Sequence, residues 1–153
     1  DYGRLDLTMR SGFDYQYPST VTIASANPLD PAVFSGAEVR DASNLAIRGV
    51  TFDYTYERGD PVNLRPFNFM NIEGLTIADS TFDGDVASGS TPDANGFGSG
   101  TALTIRGSEG VLLEGNEFFG FRIGLNVSES SGITARGNEI YDMRSDGMNF
   151  SEV

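Results

Sequence analysis

Four stretches of this chain repeat one another, and that repeat constrains its folding more tightly than any other feature. They run from Asn44 to Phe52, Gly74 to Phe82, Gly110 to Phe118 and Gly132 to Ile140. Each opens with an apolar-x-apolar triplet, starting at Leu45, Leu75, Val111 or Ile133. Each then turns over two or three residues and ends on an apolar residue two positions after the turn: Phe52, Phe82, Phe118 or Ile140. A second triplet follows every repeat: Phe67-Asn68-Phe69, Leu103-Thr104-Ile105, Leu125-Asn126-Val127 and Met148-Asn149-Phe150. In the first three cases the next repeat begins eight residues after that triplet begins, and Ala37-Glu38-Val39 stands at the same distance before Leu45.

A repeat of this length marks stacked units that share one core. Spacings from Leu45 to Leu75 to Val111 to Ile133 are 30, 36 and 22 residues. The shortest sets the basic coil, and the other two exceed it by 8 and 14 residues, both between the second and third strands. Helical repeats need apolar residues at 3.6 spacing, which these segments lack. The pattern therefore predicts a parallel β-helix with three short strands per coil. Alternation points Leu45, Ile47, Phe52, Phe67 and Phe69 inward and leaves Ala46, Thr51 and Asn68 facing solvent. Successive coils stack at roughly 4.8 Å, so Phe52, Phe82, Phe118 and Ile140 form one internal file and Phe67, Leu103, Leu125 and Met148 another. Upstream, Val21-Thr22-Ile23 and Val33 read as strand positions of an earlier coil, and Leu5-Asp6-Leu7 closes the one before. Asn116 and Asn138 share a turn position after glycine. Their amides are expected to bond along the stack, and asparagine tolerates the left-handed backbone expected there.

Composition removes several functions. The formal charge is −12, and all ten cationic residues are arginine. Such a surface repels phosphates and anionic lipid, so neither nucleic acid nor a membrane is an expected partner. No stretch approaches the length of a membrane span, and the chain opens on an alternating strand pattern rather than a signal peptide. With no cysteine and no histidine, disulfides, thiol catalysis and histidine general-base constellations are excluded from these residues.

The strings Gly110 to Phe118 and Gly132 to Ile140, of the form G-[IVL]-x-[IVL]-x-G-N-x-[FI], resemble the repeat signature of the right-handed parallel β-helix, or pectin-lyase-like, superfamily. Thr20 to Gly36 is similar to the early coils of its polysaccharide-processing members. The resemblance implies an all-β, right-handed solenoid of about five coils over 1–153. It implies no single activity, because lyases, hydrolases, C5-epimerases, adhesins and phage tail spikes share the fold. Epimerase-like members carry an Asp-Pro-His-Glu string, of which Gly147 to Glu152 matches only the glutamate. Polygalacturonase-like members pair aspartates across coils beside a histidine. Lyase members use a lysine or arginine base beside calcium, and lysine is absent here.

Candidate sites lie mainly in the insertions 53–66 and 83–102, which leave adjacent coils at the same turn. Tyr54 and Tyr56 offer faces on which sugar rings stack, with Arg58 and Arg65 able to hold hydroxyls or carboxylates. Phe97 belongs to the opposing wall, together with Asp83, Asp85, Asp93 and Asn95. Loops on a rigid scaffold often carry function, although such loops equally serve to cover a flank or meet a second subunit. Asp83, Asp85 and Asp93 are candidate oxygen ligands for calcium, outside any calcium-loop consensus, and no other cofactor is expected. Glu117 and Glu139 face outward at one strand position on neighbouring coils, where two carboxylates resist joint ionisation. Glu114 and Arg136 stack as a surface ion pair, and Tyr15 and Tyr17 fall in a different turn.

These observations predict a non-catalytic module of a secreted protein or a virion spike or tail fibre, presenting loops to a polysaccharide, a cell-surface glycan or a protein partner. The alternative is a lyase or C5-epimerase acting on uronic-acid polymers, with its catalytic residues outside this segment. Both ends fall within the solenoid pattern. The residues thus read as a segment of a longer helix, or as one whose ends a second chain covers, for example in a homo-oligomer that would be trimeric in a spike.

Overall fold

A computed structural model describes residues 1–8, 14–57, 59–85 and 98–153. Sixteen strands and no helix occur among the described residues, so none contains a helix that could cross a membrane. The first sheet stacks β1 (Arg4–Leu7), β4 (Gly36–Arg40), β7 (Phe67–Met70), β10 (Thr101–Arg106), β13 (Ile123–Ser128) and β16 (Met148–Ser151). The second stacks β2 (Tyr15–Ala24), β5 (Ala42–Arg48), β8 (Glu73–Ala78), β11 (Glu109–Glu114) and β14 (Ser131–Arg136). The third stacks β3 (Val33–Phe34), β6 (Thr51–Asp53), β9 (Thr81–Asp83), β12 (Glu117–Phe119) and β15 (Glu139–Tyr141). Every pairing is parallel, and consecutive strands of the chain pass to different sheets, so each coil contributes one strand to each.

The repeat sets the register. Leu45 pairs with Leu75, Val111 with Ile133, Leu103 with Leu125, and Leu125 with Met148. Phe52, Phe82, Phe118 and Ile140 align across the third sheet. The head of that file differs from expectation. Phe34, not Val33, aligns with Phe52, because Val33 pairs with the outward Thr51. Leu5 pairs with Ala37 as the triplet pattern requires. Leu45, Ile47, Phe52, Phe67, Phe69, Leu75, Ile77, Phe82, Leu103, Leu113 and Phe118 are almost completely removed from water and make one continuous core.

Of the three positions expected to face solvent, one is fully covered. Ala46 is buried, since its methyl lies between the longer Thr22 and Thr76 on neighbouring coils, while Thr51 and Asn68 are half-buried. Tyr15 and Tyr17 lie in β2 rather than in a turn. The strand carries an irregularity there: Gln16 pairs with Ser43 and Val21 with Leu45, so extra residues loop out between them. That bulge exposes the Tyr17 carbonyl, which accepts the Asn44 Nδ2–H at 2.6 Å.

The turns carry two ladders. Between the second and third sheets, Asn116 Nδ2 donates to Asn138 Oδ1 at 3.0 Å and to the Ile77 carbonyl at 2.8 Å, while Asn116 Oδ1 accepts the Ser80 N–H at 3.0 Å. The left-handed residue is the one before the asparagine, Gly115 and Gly137 at φ 63°, with Asp79 at φ 51° on the coil above. The asparagines are there for their amides, not for their backbone freedom. Between the first and second sheets serines play the matching part, with Ser108 N–H donating to Ser130 Oγ at 3.0 Å and Ile72 N–H to Ser108 Oγ at 3.1 Å. The repeat alignment did not single out these serines, although the Ser108 and Ser130 spacing equals the basic coil.

Candidate functional site

The chain leaves β6 and β9 at the same edge of the stack, and the described parts of both insertions stay in register past the strands. Tyr54 N–H donates to the Asp83 carbonyl at 2.9 Å and Gly84 N–H to the Phe119 carbonyl at 2.9 Å. Glycine is required at this exit. A Cβ on either Gly84 or Gly98 would collide with the Gly120 carbonyl oxygen, and Gly120 itself sits at φ 80°.

Insertion 53–66 is fastened by one carboxylate. Asp60 Oδ2 accepts the Tyr54 hydroxyl at 2.8 Å and the Glu57 N–H at 3.0 Å, and a second turn closes from Leu64 N–H to the Pro61 carbonyl at 2.9 Å. Tyr54 therefore does not present its ring for stacking. It is only 6% exposed, and its ring packs on Phe121 at 5.9 Å between centroids. Burial, then the bond to Asp60, pushes its hydroxyl well above the ordinary tyrosine range. Tyr56 is half-buried and packs against the core, and its N–H donates to Asp85 Oδ2 at 3.2 Å. The pairing of the two tyrosines as an exposed platform is thus corrected: side chains two residues apart point the same way along an extended segment, and here that way is inward.

What the loop does form is a groove of about 350 Å³, lined by Arg4, Ser35, Tyr54, Thr55, Glu57, Asp60, Leu64, Arg65 and Pro66. Arg4 reaches Glu38 Oε2 at 3.2 Å, and the same glutamate accepts from Arg40 Nε at 2.5 Å. Arg65 is exposed, and none of the ion pairs among the described residues uses it. Arg4 joins the groove from a distant part of the sequence because β1 pairs with β4, a contact that the insertion alone could not reveal. Arg58, Phe97, Asp93 and Asn95 lie outside the described residues.

Acidic groups gather on the third sheet. Asp53 pairs with Asp83, and Glu117 with Glu139. Partial burial, then the charges of Asp53, Asp85 and Glu117, raise the Asp83 carboxyl above its ordinary value. Glu117 accepts the Tyr141 hydroxyl at 2.6 Å, and that bond is the main reason the phenol is pushed up to about 12. Among the described residues no group of three or more histidine, cysteine, aspartate or glutamate side chains is arranged to hold a metal ion; Asp93, the third ligand expected beside Asp83 and Asp85, lies outside those residues. Glu114 and Arg136 pair at 2.7 Å with both side chains exposed, a contact worth at most about 1 kcal/mol.

Comparison with protein families matches the chain to the family described as the right-handed beta helix region, over residues 17–152. Comparisons with curated proteins and with solved structures give no match.

Proposed function

Because this chain belongs to the right-handed β-helix family, whose fold holds loops on a rigid stack, we propose that it is a non-catalytic binding module that receives a glycan in the groove under the 53–66 loop. The observation that carries this reading is Arg65, an exposed cation with no ion-pair partner among the described residues, on the wall of this groove in a chain of net charge −12. An unpaired guanidinium forks onto carboxylates and hydroxyls, so a polysaccharide bearing acid groups is the favoured ligand. Ser35, Thr55 and Glu57 add neutral and acidic hydrogen-bonding groups for sugar hydroxyls. Gly100, at φ 77°, lies too close to the Leu64 carbonyl to carry a Cβ. The Gly100 and Thr101 N–H groups donate to the Val62 and Leu64 carbonyls at 3.0 and 2.8 Å. These contacts support a preformed loop wall, which lowers the ordering cost of binding. Such a module suits a secreted protein or a virion spike or tail fibre.

A glycan array with the 153-residue chain tests the proposal, followed by titration of any ligand found. Arg65→Ala is expected to weaken binding at least about ten-fold, about 1.4 kcal/mol. Tyr56→Ala, whose ring turns to the core, is expected to act only through loop order. Absence of any glycan ligand, or an Arg65→Ala protein that binds like the parent, defeats the proposal.

A further inference from the structure

Glu38, Asn68, Thr104 and Asn126 occupy one strand position on four consecutive coils of the first sheet. Each is flanked along its strand by core residues, such as Leu103 and Ile105 beside Thr104, so alternation turns it to the outer face. Thr104 is nonetheless fully buried, and its hydroxyl has no hydrogen-bond partner among the described residues. The neighbouring Asn68 Oδ1 is likewise buried and unpartnered. The orientation of that amide is not arbitrary. Asn68 Nδ2 donates to Glu38 Oε2 at 3.2 Å on the preceding coil and to the Arg65 carbonyl at 2.8 Å, which uses both of its hydrogens and leaves Oδ1 as the open acceptor.

Buried polar groups are almost always paired, so two adjacent exceptions call for a physical cause. Strand spacing supplies one. Paired positions lie about 4.8 Å apart, beyond the reach of a single hydrogen bond between short side chains. Two bonds of about 2.8 Å meeting at roughly 120° span that distance, which is the geometry of one bridging oxygen. Where both side chains are long, as at Asn116 and Asn138, the amides meet directly at 3.0 Å. A threonine hydroxyl sits on Cβ and cannot extend in the same way.

We propose that Asn68 Oδ1 and Thr104 Oγ1 form a seat for one buried bridging water molecule. The water donates one hydrogen to the amide oxygen and accepts the threonine hydrogen, or donates its second to that hydroxyl. Asn126, paired with Thr104, extends the row on the next coil. With it, a polar chain runs from Arg4 and Arg40 through Glu38 and Asn68 to Thr104, crossing coils outside the apolar core. The same Asn68 amide holds the Arg65 carbonyl, so the seat steadies the backbone at one wall of the groove.

Thr104→Val keeps the shape and removes the hydroxyl. The expected result is a fall of about 2–4 °C in the thermal midpoint, and little or no further fall when the same change is made in an Asn68→Leu protein. An unchanged or higher midpoint for Thr104→Val in the parent chain overturns the proposal, because an unsatisfied buried hydroxyl is better lost. A crystal structure of the chain at about 1.5 Å decides independently of any variant. An ordered oxygen within about 3.2 Å of both atoms supports the seat, while a dry contact or a direct Asn68–Thr104 bond overturns it.

Discussion

The rings of Phe82 and Phe118 lie 4.5 Å apart between centroids and within 8° of parallel. Phe52 stacks on the other face of Phe82 at 4.6 Å. These separations match the strand spacing, so the internal file is a direct consequence of the register Phe52–Phe82–Phe118. Phe82 is the middle member, with an aromatic on each side and no exposure. Phe82→Ala is expected to cost about 3–5 kcal/mol in denaturant titration, a large part of a typical domain's stability. Phe82→Leu fills most of the space but forfeits both stacks, and should cost about 1–2 kcal/mol. Equal, small losses for the two variants would show that the file does not bear on stability.

Coil register was legible because period-two alternation and fixed turn lengths leave one alignment in which Leu45, Leu75, Val111 and Ile133 share a face. The irregular places were not. At Val33 and Phe34, two adjacent apolar residues carry no alternation to choose between them, and pairing with Thr51 and Phe52 made the choice. At Tyr15 and Tyr17 a bulged strand looks like a turn, since its extra residues break the period. The candidate groove was legible only as a loop insertion. Which tyrosine is buried depends on Phe121 and Asp60, contacts set by loop closure rather than by the repeat. Arg4 enters the groove through strand pairing across more than thirty residues of sequence, which no local motif encodes.

The asparagine ladder separates two residues that look alike in the repeat. Asn116 is buried, and its side chain serves the Ser80 N–H, the Ile77 carbonyl and Asn138. Asn138 is half-buried and serves the Asn116 N–H and the Leu113 carbonyl. Truncation leaves backbone groups without partners, and the cost scales with their burial. Asn116→Ala should lose about 2–4 kcal/mol and Asn138→Ala about half of that, by the same unfolding assay. A reversed order would mean that solvent, not the ladder, satisfies the inner turn.

Tyr54→Phe isolates the fastening of the 53–66 loop, because the ring stays on Phe121 while the hydroxyl bond to Asp60 is lost. Global stability should fall by only about 0.5–1.5 kcal/mol. Amide exchange should quicken locally at Glu57, whose N–H rests on the same Asp60 oxygen. Tyr54→Ala, by contrast, opens a cavity beside Phe121 and should lose about 3–5 kcal/mol. A loss of glycan binding in the alanine variant would thus report collapse of the loop rather than loss of a stacking surface.

Asp83 gives the stability curve a predictable dependence on pH. Its carboxyl is raised above the ordinary value of 3.8, first by partial burial and then by Asp53, Asp85 and Glu117. A raised carboxyl means that the folded chain holds this proton more tightly than the unfolded chain does. The group therefore favours the folded state most below pH 3.8, and that contribution is lost as pH rises through the folded value. At neutral pH the ionised side chain is a net burden, lightened by its contact with solvent. Asp83→Asn removes the charge and keeps the size, so its thermal midpoint at pH 7 should exceed that of the parent by about 1–3 °C. The difference should shrink as the buffer is taken below pH 3.8, where the parent is also neutral at this position. Scanning calorimetry of both proteins from neutral to acid pH measures the gap directly. A gap that is constant with pH would show that folding does not shift this carboxyl, and one that widens toward acid would show that Asp83 is stabilised as an anion.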